Sequence, residues 1–133
     1  MKEFETYTLP NGIKGIHRRV KSAIAHCALV INAGSRDERH DEYGLAHFTE
    51  HALFKGTHKR KAYQVNCRLE NLGGELNAFT TKEDTTIHAT TLRSDFAKAV
   101  ELITDVAFDS TYPERELAKE REVIVDEINT YKD

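Results

Sequence analysis

The chain has 133 residues, 39% hydrophobic and 31% charged, with a formal net charge of -3 at pH 7. That length supports one hydrophobic core rather than two, and the composition is that of a soluble globular domain rather than a disordered segment. The acidic balance argues against a nucleic-acid partner: the only basic stretches, HRRVK (residues 17–21) and KGTHKRK (residues 55–61), are short and read as solvated surface.

The first dozen residues alternate apolar and polar side chains up to Leu9, and the turn tripeptide Pro10-Asn11-Gly12 precedes a second alternating run, so a β-hairpin is predicted. Residues 23–34 are apolar on both alternations and read as an interior strand. A polar loop over 35–43 leads into a first helix over about 44–55, stopped by Gly56. A second helix is expected over about 62–72, punctuated by Gly73 and Gly74. Two strands, ELNAFT and TTIHATTL, flank the polar turn at 81–84. Ser94 can cap a third helix with Phe96, Ala99, Val100, Ile103 and Val106 at helical spacing. Pro113 suits the first position of a last helix that runs to about Tyr131. This order predicts an α+β fold, an antiparallel or mixed sheet with helices packed on one face.

Cys27 and Cys67 form no CxxC pair, so neither a cysteine metal site nor a disulfide framework is expected, and Cys27 reads as a buried reduced thiol. The N-terminal stretch lacks the apolar core of a signal peptide, and no run approaches the roughly 20 apolar residues of a membrane span. The default expectation is a cytoplasmic protein without membrane contact, unless a leader has been trimmed.

The first helix carries HFTEH. His47, Glu50 and His51 stand at i, i+3 and i+4 and share one side, while Leu45, Phe48 and Ala52 can bury another against the sheet. Imidazoles four apart lie about 6 Å apart along the axis and can lean onto one ion, for which zinc is the natural occupant. The pattern HxxEH is the reversed form of HExxH, the zinc-protease helix. A third ligand is then required. In KEREVIVDEI, Glu120 and Glu127 are seven apart on one stripe of the last helix, beside an apolar stripe of Leu117, Ile124 and Ile128. On spacing alone, both glutamates read as a solvated helix face, the usual place of glutamate, in preference to a metal site. His17, His26, His40, His58 and His88 have no such company and read as ordinary packed or surface histidines.

HFTEH, GGELNAFTTKEDTTIHA and EREVIVDEI, in that order and at these separations, resemble the pitrilysin and mitochondrial processing peptidase family of zinc metallopeptidases. The resemblance extends from the LPNGI hairpin over essentially the whole chain. It implies a third ligand about 75 residues beyond the second histidine, which falls on Glu127, and an acid beside the metal without ligating it, which falls on Glu120. It also implies that Asn77 and Ala78, on a strand with an open edge, hold the backbone of a peptide substrate. The expected activity is zinc-dependent endopeptidase chemistry, with Glu50 as general base toward a metal-activated water.

Relatives of this kind are much longer and pair such a domain with a similar, metal-free half that closes over the substrate. Residues 1–133 are thus expected to be a single domain, the N-terminal zinc-binding part of a larger peptidase, weakly active or inactive alone and prone to self-association. The competing expectation is a scaffold or metal-binding module of the same fold without turnover.

Overall fold

The computed structural model describes residues 3–132. The first two strands, β1 (Glu5–Thr8) and β2 (Lys14–His17), pair antiparallel as the hairpin the turn signal requires. Leu9 N–H donates to the Ile13 carbonyl at 2.8 Å, and Gly12 takes the left-handed conformation at φ +90° that closes the turn. This hairpin is a separate two-stranded sheet rather than part of the main one.

The main sheet contains β3 (Ile24–Ile31), β4 (Glu75–Thr80) and β5 (Thr85–Leu92), in the order β3-β5-β4, all antiparallel. The reading of residues 23–34 as an interior strand is corrected here. Among the described residues β3 is an edge strand, and its exposure alternates with the pleat. The central place belongs to β5, whose threonines look polar on paper. Their β-branched stems suit a strand, and Thr85, Thr86 and Thr91 are buried with Ile87 and Ala89.

Four helices follow the expected order: α1 (Leu45–Ala52), α2 (Ala62–Glu70), α3 (Phe96–Phe108) and α4 (Glu114–Thr130). The first three cover one face of the main sheet, and α4 packs on α1. Ile87 and Ala89 of β5 meet Val65 and Leu69 of α2, Ala99, Leu102, Ile103 and Val106 of α3, and Leu53 just after α1. At about 25 cal/mol per Å² of apolar surface, each such side chain contributes on the order of 2 kcal/mol. The fold is therefore the α+β sheet-and-helix layering that the element order requires. None of these helices is long and apolar enough to cross a membrane.

Several local expectations shift. Ser94 does not cap α3; it sits inside a short 3-10 turn (Arg93–Asp95), and Asp95 takes the cap position. Leu102 belongs to the buried stripe of α3, whereas Phe96 and Val100 are exposed. Pro113 precedes α4 as its cap residue rather than opening the helix. Leu45 and Ile128 are about half exposed, so the apolar stripes of α1 and α4 are narrower than the patterns predict. Cys27 is free and half-buried, and burial pushes its thiol pKa up. The HRRVK stretch is solvated as expected, but KGTHKRK is not: Gly56 and Thr57 are buried, and Arg60 reaches Glu101 and Asp105 of α3.

Candidate metal centre

Helix α1 begins where Gly44 adopts φ +92°, a turn that a side chain would resist. Its free N–H groups are satisfied from a distance. The Glu38 carboxylate accepts from Gly44 N–H at 3.0 Å and Ala46 N–H at 2.8 Å. A carboxylate also suits the positive end of the helix dipole, so the polar loop before α1 fixes where the helix starts. Helix α4 packs on α1 with Glu120 and Glu127 at its histidine face.

This packing brings together three of the residues singled out in the sequence. His47 Nε2 and His51 Nε2 are 3.0 Å apart, and Glu127 Oε2 is 3.6 Å from each. No other set of histidine, cysteine or acidic side chains among the described residues converges in this way. The point equidistant from corners with sides of 3.0, 3.6 and 3.6 Å lies about 2 Å from each, the length of a Zn–N or Zn–O bond. The chemistry of the donors agrees. Two nitrogen lone pairs and a carboxylate oxygen facing one another favour a cation between them. The His47 and Glu127 side chains are 39% and 38% exposed, so the site stays open to water on one side. Two imidazoles and one carboxylate with an open position match the donor pattern of catalytic rather than structural zinc sites.

On the inner side sits Glu120, its side chain 8% exposed. One oxygen lies 2.6 Å from His51 Nδ1, and the other accepts from Lys55 Nζ at 2.7 Å. Burial acts to raise the Glu120 pKa, but the hydrogen bonds from Lys55 and His51 outweigh it and hold the carboxyl below its ordinary value. An ionised Glu120 only accepts, so His51 donates from Nδ1. Its Nε2 lone pair is thereby left facing His47 and Glu127.

Glu50 projects from α1 toward the sheet and accepts a hydrogen bond from Thr80 Oγ1 of β4 at 2.5 Å. It lines a cleft of about 260 Å³ with His51, Lys55, Asn66, Asn77 and Ala78. Asn77 is exposed, with its Oδ1 accepting from Ala78 N–H, and Ala78 is half-buried on the opposite pleat. β4 is the other edge of the main sheet, so both lie on an edge strand as expected. The remaining histidines stay apart: His88 packs by Phe79, His26 bonds Thr90, and His40 bonds the Tyr43 hydroxyl. Two contributors escaped the sequence reading. Thr80 carries no local signal, because its contact with Glu50 exists only once β4 docks on α1. Lys55 does carry one: it stands four residues beyond His51 and prolongs the row His47–His51.

An open site of two histidines and a glutamate, presented by helices on an α+β sheet, is the donor set of zinc-dependent hydrolases. The chain belongs to the family described as Insulinase (Peptidase family M16), whose model matches residues 16–133. It is 37% identical over 126 residues to the mitochondrial-processing peptidase subunit beta of Rattus norvegicus, covering 95% of this chain and 26% of that protein. It is 36% identical over 130 residues to the uncharacterized zinc protease YmxG of Bacillus subtilis, covering 96% of this chain and 31% of that protein. Among solved structures, a protease from Helicobacter pylori superposes with a TM-score of 0.89 at 28% identity, over 93% of this chain and 30% of that one. The chain thus spans about a quarter to a third of the length of these relatives.

Proposed function

We propose that this chain is the metal-bearing part of a zinc-dependent endopeptidase acting on peptides or unfolded protein segments. The observation that carries the reading is the convergence of His47, His51 and Glu127, brought from two helices to within bonding reach of one ion. In this reading His47 and His51 ligate through Nε2 and Glu127 through Oε2. A zinc ion held there supplies Lewis-acid polarisation of the scissile carbonyl and lowers the pKa of a bound water toward about 7.

The chain's own groups do the rest. The Glu50 carboxylate takes a proton from the attacking water and later passes it to the leaving amine nitrogen. Its place in the cleft beside Asn77 and Ala78 supports this role, since a substrate strand laid along β4 would run past it. The β4 edge at Asn77 and Ala78 offers main-chain groups to an extended peptide, the Ala78 N–H once Asn77 Oδ1 releases it, so affinity comes from the backbone and side-chain preference is loose. Glu120 holds the His51 ring. The relatives' greater length supports placing further substrate contacts on a second, metal-free half, in the same chain or another. The 133-residue chain alone should bind zinc, cleave weakly or not at all, and be prone to self-association.

The test compares Glu50→Gln with Glu127→Gln in the full-length protein. Glu50→Gln should keep its zinc and lose about 10²–10⁴-fold in cleavage of an unstructured peptide. Glu127→Gln should lose both metal and activity. Unchanged cleavage in the first variant would remove Glu50 from the chemistry. A protein with no cleavage to lose that still gives up its metal in Glu127→Gln would be a metal-binding module, and indifference of both variants would leave a scaffold.

A further inference from the structure

We infer that Lys55 is a positioning residue of the metal centre, acting through Glu120 to fix the His51 imidazole; this rests on the zinc reading above. Three cationic or imidazole side chains, His47, His51 and Lys55, descend one side of α1 and its following turn at four-residue intervals. They meet two carboxylates of α4, Glu127 and Glu120, in alternation. Glu127 faces both histidines at 3.6 Å. Glu120 lies between His51 and Lys55, with one oxygen committed to each at 2.6 and 2.7 Å.

The geometry differs from that of a surface ion pair. The Glu120 side chain is 8% exposed and that of Lys55 23%. A carboxylate held by a single donor can still turn about its last torsion. Opposed donors on its two oxygens fix the plane, and with it the direction in which His51 Nδ1–H must point. The Nε2 lone pair on the far side of the ring is aimed by the same constraint. The Lys55 main chain is itself anchored. Its N–H donates to the Ala52 carbonyl at 3.2 Å, and the buried Gly56 beyond it turns the chain at φ +134°. Gly56 is then bridged to Lys61.

Two effects of removing the Lys55 ammonium oppose each other. The bare carboxylate would become a stronger acceptor, making His51 a better ligand. The same buried oxygen, left without its donor, would swing toward water and take the ring with it. The burial of Glu120 makes the second effect the larger, because its oxygen has no solvated position to relax into without moving.

The test is zinc affinity by chelator competition, with thermal melts of the metal-free proteins as the fold control. Lys55→Met should weaken zinc about tenfold, the scale of the 10–100-fold penalties seen for groups that orient ligands. Lys55→Arg, which keeps the cation and its donors, should stay within roughly threefold of the original on the same scale. In a Glu120→Gln background, Lys55→Met should cost nothing further, because its effect runs through that carboxylate. Unchanged or tighter zinc binding in Lys55→Met would overturn the inference. So would an equal loss in the Glu120→Gln background. Absence of zinc from the unsubstituted protein is a different result and would remove the metal site itself.

Discussion

Arg60→Met should be among the most damaging single substitutions outside the metal centre. Arg60 donates from one terminal nitrogen to Asp105 Oδ2 at 2.7 Å and makes a two-pronged contact with Glu101 at 2.6 and 3.1 Å. The Asp105 side chain is 1% exposed, Arg60 15% and Glu101 41%, so the two arms differ in weight. The Glu101 arm is screened by solvent and is worth less than about 1 kcal/mol. The Asp105 arm is not. Without Arg60, its charge keeps only the Thr57 hydroxyl as a donor, and stranding one member of a buried pair costs about 3–5 kcal/mol. Against a total stability of about 5–15 kcal/mol that is a large fraction. The melting temperature of the metal-free protein should fall by roughly 10–20 °C. Urea titration followed by far-ultraviolet circular dichroism measures the loss directly. Adding Asp105→Leu to Arg60→Met should recover much of it, since a buried pair replaced as a whole leaves no orphan charge. A loss below about 1 kcal/mol for Arg60→Met alone would show that Asp105 is satisfied by other means and would refute the reasoning.

Two further predictions follow from the same geometry. The folded-state pKa of Glu120 lies below its ordinary value, so its contribution to stability is fully present above about pH 4.5 and is lost as the pH falls through the lowered value. Glu120→Gln should therefore flatten the acid limb of the stability–pH curve of the metal-free protein, and an unaltered limb would contradict this assignment. At Gly34 the backbone is extended, yet a Cβ would come within 2.5–2.7 Å of main-chain atoms of Thr81, Lys82 and Glu83. Gly34→Ala should thus cost about 1–3 kcal/mol in urea titration by forcing the β4–β5 turn away, and a neutral result would mean that the turn gives way freely.

How far the sequence could be read depended on the range of the interaction. Turn and helix signals are local, and they located the hairpin at Pro10–Asn11–Gly12 and all four helices to within a few residues. Strand position in a sheet is not local. The run at 23–34 reads as interior because it is apolar on both alternations, but strand pairing puts β5 between β3 and β4, and the threonines of β5 are apolar enough to be covered. Capping shows the same limit: the cap expected at Ser94 moves to Asp95, and α1 takes its acceptor from Glu38 in the preceding loop, which no nearest-neighbour rule anticipates. In the metal centre, periodicity alone placed His47, Glu50 and His51 on one side of a helix. It left Glu120 and Glu127 indistinguishable from a wetted surface, because the distance between α1 and α4 is a property of the fold. The family resemblance, not the spacing, singled out Glu127, and the packing of α4 on α1 brings its carboxylate to the two imidazoles.

The split of the proposed donor set between α1 and α4 has a consequence for biogenesis. A nascent chain emerges N-terminus first, so the imidazole pair is exposed to the cell well before its carboxylate partner has been translated. At about 5–20 residues per second the delay is on the order of 4–15 s, long enough for the intervening sheet to form. On the reading proposed above, high-affinity loading would wait for α4 to dock on α1, so metal capture would report that packing rather than nucleate it.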